Sequence, residues 1–557
     1  MHEYQKAISG VMEQPHSEHY KTIPEALLEV HPKKIFDEMP YMLEDCRTIQ
    51  NQILEEILLL AQGSAYAQNH QLEGVQNLKQ WRQSAQISTY DDYQTYIEAE
   101  LAGHTDQLYT GKTAMYIATT GSTGKMKYFL ESEAGNAAKQ NIMTVRGLYM
   151  SGLLPVTLDM NAKNLTISNY APVATRDDGK LIVRASGQTA RNMRKKTGTM
   201  NLLPLEFWEA PGIPAHDRDY MMAVYTLAEV RFSKVFCNNV IHFGRILDRI
   251  IAEGAQMIED VRYGRFSVNL QPDVRETLAA TLPPAPERAD VLQAIYNRNG
   301  CLITCPDDIA EIWPHFSMIS CWLSAAVGRD AREVLRRLPP YIKCFDMGYG
   351  ASEGKLNIPT KLASAAGVLA PFSCFYEFLP LDGGQPVCMW EVEAGKHYEL
   401  LITTYSGLYR YNLLDIVRVD GFVGKTPNIV FCGKSGEYII VNHTKVYGYQ
   451  FADLIYQIEQ RYNIEFDIMQ IAVSGEQYYY VLESKNRVDY AAVKSELDML
   501  TEALYGSTSA GIYVMKHTYK NSLFTGLTRE DRGACGIKLP VVLRCAPDQD
   551  QIETVIK

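Results

Sequence analysis

The stretch Tyr116-Ile-Ala-Thr-Thr-Gly-Ser-Thr-Gly-Lys-Met-Lys-Tyr128 decides how this chain is read. An apolar, β-prone run from Met115 to Ala118 feeds into Thr119-Thr120-Gly121-Ser122-Thr123-Gly124, and Lys125 and Lys127 follow. Glycines permit a tight turn and a close approach of backbone to ligand. Successive N–H groups, the hydroxyls and a lysine ammonium then surround an anion, which is what a polyphosphate needs. The common phosphate loop has a longer spacer and ends in Gly-Lys-Ser/Thr; here only Ser122 and Thr123 separate Gly121 from Gly124, and Met126 follows Lys125. Read alone, the stretch is equally a polar hairpin turn.

Bulk properties narrow the choice. The 557 residues, 46% hydrophobic and 21% charged, have a globular composition, and the length suggests roughly three or four domain-sized units. A formal net charge of −11 argues against a nucleic-acid partner, which calls for a basic face, and favours solubility. The 11 cysteines, scattered from Cys46 to Cys545, complete no zinc set, Cys301 and Cys305 being the nearest pair. Reduced thiols imply a cytoplasmic protein. Met1-His-Glu-Tyr-Gln-Lys lacks the apolar core of a signal peptide, and no run approaches the ~20 apolar residues of a spanning helix, so no membrane association is expected.

Along the chain, residues 1–40 read as a polar, proline-punctuated arm. Ile49, Ile53, Ile57 and Leu60 recur at helical spacing between Asp45 and Gln62. Ile87 to Ala102 reads as a helix opened by Ser88 or Thr89. Between 140 and 330, strand-like runs (Leu165-Thr-Ile, Val235-Phe-Cys, Met318 to Trp322) alternate with helical ones (Tyr220 to Glu229; Val240 to Glu253, with Ile246, Ile250 and Ile251 on one face). That alternation predicts an α/β core. The basic run Arg191 to Lys196 reads as a solvated loop. Consecutive strands follow at 398–404, 416–420 and 428–432, and Gly433-Lys-Ser-Gly436 marks a boundary. Beyond it, helices 451–462 and 491–505 alternate with strands 469–473, 478–482 and 512–516, a small α+β domain. The predicted domains are 1–433 and 434–557.

Two further motifs carry chemistry. In Phe345-Asp-Met-Gly-Tyr349-Gly-Ala-Ser352-Glu353-Gly354, the Gly-x-Ser-x-Gly spacing matches the nucleophile elbow of serine hydrolases. That elbow needs a strand before Ser352 and a helix after it, and Pro359 makes Lys355-Leu-Asn-Ile-Pro359 a poor helix. Alternatively, an aromatic beside glycine offers a purine a stacking face, and Glu353 with Ser352 offers hard oxygens to magnesium. In Gly407-Leu-Tyr-Arg-Tyr-Asn-Leu-Leu-Asp415-Ile-Val, a carboxylate among apolar strand residues needs a partner: the hydroxyls of a ribose, or an ion pair with Arg410 or Arg418.

In this order the three motifs resemble those of the superfamily of acyl-CoA synthetases, peptide-synthetase adenylation domains and luciferases. More closely they resemble the Gretchen Hagen family of acyl acid amido synthetases. Thr119 to Lys127 looks like its phosphate motif, Tyr349 to Glu353 its Tyr-x-x-Ser-Glu, Tyr409 to Asp415 its Tyr-Arg-Tyr-x-x-Gly-Asp, and Gly536-Ile-Lys538-Leu-Pro540 its terminal lysine segment. The resemblance implies a large adenylate-forming domain of mixed sheets with a β-barrel-like subdomain and a small mobile α+β domain. It implies ATP and Mg2+ as cofactors, a carboxylic acid and an amine (by family default an amino acid) as substrates, and a monomer or homodimer.

By position, Thr120, Ser122, Thr123 and Lys127 would hold phosphates, Tyr349 with Ser324 and Ala325 adenine, Ser352 would belong to the same cofactor site, and Glu353 would bind the metal. Asp415 would take the ribose, Lys434 would stand at the hinge, and Lys538 would reach the carboxylate and α-phosphate. The acid pocket would be lined by the 135–235 region. Leu414 replaces the usual glycine before the ribose aspartate, and Lys434 the usual hinge arginine, whose bidentate fork lysine lacks. Acyl-CoA ligation and a Ser352 hydrolase remain the alternatives.

Overall fold

The computed structural model describes residues 39–557 except 121–125, 155–158, 160, 169–171, 189–190, 192–199, 476, 485, 518, 520–522 and 524–539. The N-terminal arm to residue 38, most of the basic run and Lys538 therefore lie outside the described residues. The chain divides into two compact units, one comprising Met1–Leu413 with Val417–Phe431, the other Leu414–Ile416 with Cys432–Lys557.

In the larger unit, four strands, β3 (Lys163–Ile167), β6 (Phe232–Cys237), β7 (Met318–Cys321) and β8 (Lys343–Asp346), form a parallel sheet in the order β3-β6-β7-β8. β7 is buried at every position, as an apolar run covered on both faces requires. Helices α5 (Ala215–Ala228) and α6 (Ile241–Tyr263) join these strands in one core that includes Val224, Ile246, Ile250 and Trp313. Ile251 is 38% exposed, contrary to the shared face expected of it. At about 100° per residue its side chain points well away from that of Ile250.

A second sheet, β2-β1-β5-β4, contains the hairpin of β1 (Thr113–Thr120) and β2 (Met126–Ser132), with β4 (Ala174–Thr175) and β5 (Leu181–Val183) beside it. A third has seven strands in the order β12-β11-β13-β14-β15-β10-β9. Its members are β9 (Asn357–Pro359), β10 (Gly367–Leu369), β11 (Phe375–Pro380), β12 (Val387–Cys388), β13 (His397–Thr403), β14 (Tyr411–Val423) and β15 (Thr426–Lys434). Helix α1 (Cys46–Ala61) sets Ile53, Leu54, Ile57 and Leu58 into the core shared by the second and third sheets. The single helix expected from Ile87 to Ala102 is split. Ser88 is taken up by a bridge to Tyr411, Tyr90–Asp92 forms one 3-10 turn, and α3 (Gln94–Leu101) follows. Just upstream, α2 (Leu78–Ser84) buries Trp81 completely.

The smaller unit pairs α8 (Gly448–Tyr462) and α9 (Tyr490–Tyr505) with a five-stranded sheet, β21-β18-β19-β20-β22. Its strands are β18 (Ile468–Ser474), β19 (Gln477–Glu483), β20 (Gly511–Met515), β21 (Val542–Leu543) and β22 (Ile552–Ile556), and a hairpin of β16 (Tyr438–Val441) and β17 (Thr444–Tyr447) precedes them. Phe451, Ile455 and Ile458 from α8 meet Val493 and Leu497 from α9 in its core.

One buried ion pair holds the larger unit's elements to each other. Arg410 donates to both oxygens of Glu377, at 3.0 and 2.7 Å, and to the Ala85 carbonyl, while Trp81 donates its indole N–H to the same carboxylate. Removing one partner of such a pair leaves a buried charge uncompensated, at a cost of about 3–5 kcal/mol. Glu377→Gln should therefore lower the larger unit's stability by about 3 kcal/mol or more. All five tryptophans (Trp81, Trp208, Trp313, Trp322 and Trp390) lie in that unit, so denaturant titration by tryptophan fluorescence measures it. A loss below about 1 kcal/mol would contradict this role.

Candidate active site

The carboxyl ends of parallel strands are where α/β sheets bind ligands, and there the second motif lies. β7 runs into Ser324 and helix α7 (Ala325–Arg336); β8 runs into Gly348 and Tyr349. Asp346 ties the two exits together, accepting from Leu323 N at 2.8 Å and from Gly348 N at 2.6 Å. Burial pushes its carboxyl up to about 6. Gly348 has φ +80°, and a Cβ there would lie 2.5 Å from the Arg146 guanidinium carbon, so the turn requires glycine.

That guanidinium, on helix α4 (Glu133–Leu153), donates to the carbonyls of Tyr349 (2.9 Å) and Asn357 (2.7 Å), and Asn357 Oδ1 accepts from Tyr349 N. Arg146 is wholly buried, which pulls its pKa down to about 10. The backbone of Tyr349 is thus held on both sides, and its half-buried ring stacks on Phe431 at 5.5 Å.

Past Tyr349 the chain turns back: Ala351 N donates to Gly354 O, Leu356 N to Tyr349 O, and strand β9 follows. A turn and strand stand where a nucleophile elbow needs a helix, so Ser352 lacks a hydrolase context. Glu353 accepts from the Tyr411 hydroxyl at 3.3 Å. Among the described residues no cluster of three or more His, Cys, Asp or Glu forms a metal cage. A single carboxylate is nevertheless a fitting donor for an Mg2+ ion that would take its remaining ligands from substrate phosphates.

Of the first motif, Ser122, Thr123, Gly124 and Lys125 lie outside the described residues. The hairpin brings Thr120 opposite Met126, and Lys127 Nζ lies 4.6 Å from the Tyr90 ring centroid. Ala325 is exposed and left-handed, φ +51°, an unusual backbone for a residue with a Cβ.

Next to this motif opens a cleft. One stripe of α4, Asn136, Lys139, Gln140, Met143 and Thr144, forms a wall at helical spacing, while Ile142, Val145 and Tyr149 turn into the core. Met115 and Ile117 of β1, Glu131 of β2, Ala185, Gln188, Ala351, Ser352 and Lys355 form the rest. Lys139 bonds the Glu131 carboxylate at 2.5 Å and the Ser352 carbonyl at 2.9 Å, and it also borders the space in front of Glu353.

Within the smaller unit, Asp415 is ion-paired with Lys434. Arg410 and Arg418, the partners considered for it from sequence, are engaged by Glu377 and Asp420. Ser435 N donates to Leu414 O at 2.9 Å.

Residues 36–332 match the GH3 family N-terminal domain and residues 367–434 the GH3 family central domain. The chain belongs to the GH3 family. It is 25% identical to a jasmonoyl–L-amino acid synthetase of Nicotiana attenuata over 449 residues, 76% of this chain and 75% of that protein. It is 24% identical to an indole-3-acetic acid-amido synthetase of Oryza sativa subsp. indica over 464 residues, 75% of this chain and 70% of that protein. A GH3 acyl acid amido synthetase structure superposes with a TM-score of 0.77 at 15% identity, covering 93% of this chain and 96% of that one, so the adenylate-forming fold is shared.

Sequence reading missed Glu131, Lys139, Arg146, Asp346 and Tyr411. Asp346 had a visible signal, a lone carboxylate closing an apolar strand just before glycine; Lys139, Arg146 and Tyr411 have partners far along the chain, and Glu131 pairs with Lys139 across the junction of β2 and α4.

Leu414 stands in this GH3 chain with φ +55° and 45% exposed. An L-residue held left-handed costs roughly 1–2 kcal/mol, and a β-branched one more. Leu414→Val should therefore lower local stability by about 1 kcal/mol, read as a severalfold loss of hydrogen-exchange protection at the Ser435 amide. Leu414→Gly should protect that amide better than Leu414→Val; the reverse order would show that the strain is absent.

Proposed function

We propose that this GH3 protein is an ATP-dependent ligase that activates a carboxylic acid as an acyl adenylate and passes the acyl group to an amine, by preference an amino acid, releasing AMP and pyrophosphate. One observation carries the reading. Tyr349 and Glu353 stand at the carboxyl edge of the parallel sheet, beside a cleft whose lining includes Lys139 and Lys355. The relatives support it, since one is named a jasmonoyl–L-amino acid synthetase and the other an indole-3-acetic acid-amido synthetase.

In this reading Thr120, Ser122, Thr123 and Lys127 hold the phosphates. Tyr349 offers adenine the ring face turned away from Phe431, with Ser324 and Ala325 at the neighbouring strand exit. Asp415 accepts the ribose hydroxyls, and Lys434 orients that carboxylate. Glu353, with Ser352 beside it, holds Mg2+, which when bound neutralises charge on the phosphate oxygens. The acid lies in the cleft against α4.

A carboxylate is a poor electrophile, so the protein must hold its oxygen in line with the α-phosphorus. The new P–O bond forms as the bond to pyrophosphate breaks. Lys538 places its ammonium against the oxygens where charge develops. In the second step the amine nitrogen forms the amide bond to the acyl carbon, loses a proton, and AMP departs with the former carboxylate oxygen.

The test is product analysis with Mg-ATP and a panel of acids, with and without amino acids. Acid-dependent AMP and pyrophosphate that increase with amino acids are expected; AMP appearing only with coenzyme A would assign a thioester ligase instead. Glu353→Ala should reduce AMP formation by a factor on the order of 100 or more, whereas Ser352→Ala should retain turnover. Equal activity of the Glu353→Ala variant would overturn the proposal.

A further inference from the structure

The cleft wall contains a charge-compensated donor. Glu131, near the end of β2, is 2% exposed at its side chain, and Lys139 neutralises it at 2.5 Å. An ammonium carries three donors. Two are directed at protein oxygens, Glu131 Oε2 and the Ser352 carbonyl. The Lys139 side chain is 21% exposed and lines the cleft, so its remaining donor is available to whatever occupies it. Around it stand apolar surfaces from Met115, Ile117, Met143 and Ala351.

The consequence for the occupant is chemical. A neutral oxygen acceptor gains a charge-assisted hydrogen bond from Lys139. A plain hydrocarbon displaces water from the ammonium and returns no acceptor, a loss of the kind that lets polar sites reject analogues lacking the matching group. A second carboxylate meets Glu131 within a few ångströms. Among the described residues, the charged side chains lining the cleft are Glu131, Lys139 and Lys355, a sum of one positive charge, which matches the single carboxylate that is to be activated.

We propose that Lys139, held by Glu131 and Ser352, is a specificity-determining residue that selects monocarboxylic acids whose apolar body carries a neutral acceptor oxygen, a hydroxyl or a carbonyl. The inference rests on the ligase reading of the same cleft.

Two matched sets of acids test it on the full chain with Mg-ATP, by acid-dependent AMP release: levulinate, pentanoate and glutarate; and p-hydroxyphenylacetate, phenylacetate and p-carboxyphenylacetate. The oxygenated monoacid of each set should exceed its unsubstituted partner in kcat/KM by about tenfold or more, and the diacid should be poorest. Lys139→Met alone would strand the buried Glu131 carboxylate, so the informative variant is Glu131→Gln with Lys139→Met, with its fold checked by tryptophan fluorescence. There the oxygenated-to-unsubstituted ratio should collapse towards one, and Lys139→Arg, which keeps a charged donor, should preserve a preference.

Wild-type ratios near one, a preference for the diacids, or a ratio that survives in the folded double variant would each overturn the inference while leaving the ligase reading standing. Absence of acid-dependent AMP across a broad acid library, with amino acids and coenzyme A supplied, would overturn the ligase reading itself.

Discussion

The larger unit depends on a buried guanidinium meeting a buried carboxylate. Arg410 is 5% exposed and Glu377 1%, and desolvating two such charges is costly unless every donor finds an oxygen. Here the fork lies flat on Glu377, a further N–H reaches Ala85 O, and Trp81 packs under the guanidinium while donating to the same carboxylate. To reach them Arg410 takes a left-handed backbone, φ +46°. The residues around it are fixed in consequence. Tyr409 bonds Leu108 O and stacks on Tyr66, Tyr93 OH contacts both backbone polar groups of Tyr409, and Tyr411 turns its hydroxyl to Glu353. The Tyr-Arg-Tyr segment is thus a clamp joining the 81–93 region to the seven-stranded sheet, and the Tyr411–Glu353 hydrogen bond links it to the second motif.

This explains what was legible in the sequence. Apolar patterns located most of the parallel sheet, α5, α6 and, in the smaller unit, α8, α9, β18, β19 and β20, because those signals are local. Short pieces such as β16 and β17 escaped, since a few residues establish no period. The expected helix from Ile87 broke because Ser88 bonds the Tyr409 carbonyl and pairs with Tyr411, a tertiary demand that no helical propensity registers.

Partnerships were less legible than elements. Asp415 and Arg418 are an odd number of positions apart on β14, so their side chains take opposite faces, and Arg410 was already committed to Glu377. The partner of Asp415 comes instead from the neighbouring strand β15, as Lys434. The same applies to Lys139: sequence spacing alone shows a polar helical face, and only the juxtaposition with Glu131 and Ser352 makes it part of a site.

Ala325 and Arg410 in the larger unit, and Leu414 in the smaller, are non-glycine residues with left-handed backbones. Strain of this kind persists where surrounding structure over-determines the conformation. For Arg410 the determinant is the buried pair. For Leu414 it is the bond from Ser435 N to Leu414 O together with the Asp415–Lys434 ion pair at the next residue. Leucine therefore occupies a position shaped for glycine because flanking contacts hold the strand on both sides. The carboxylate of Asp415 inherits its direction from that constraint: a backbone fixed at residue 414 and a cation at residue 434 leave it little freedom. An aspartate so restrained has less conformational entropy left to lose than a mobile one, so the strain at Leu414 and the fixed direction of the Asp415 carboxylate are one constraint.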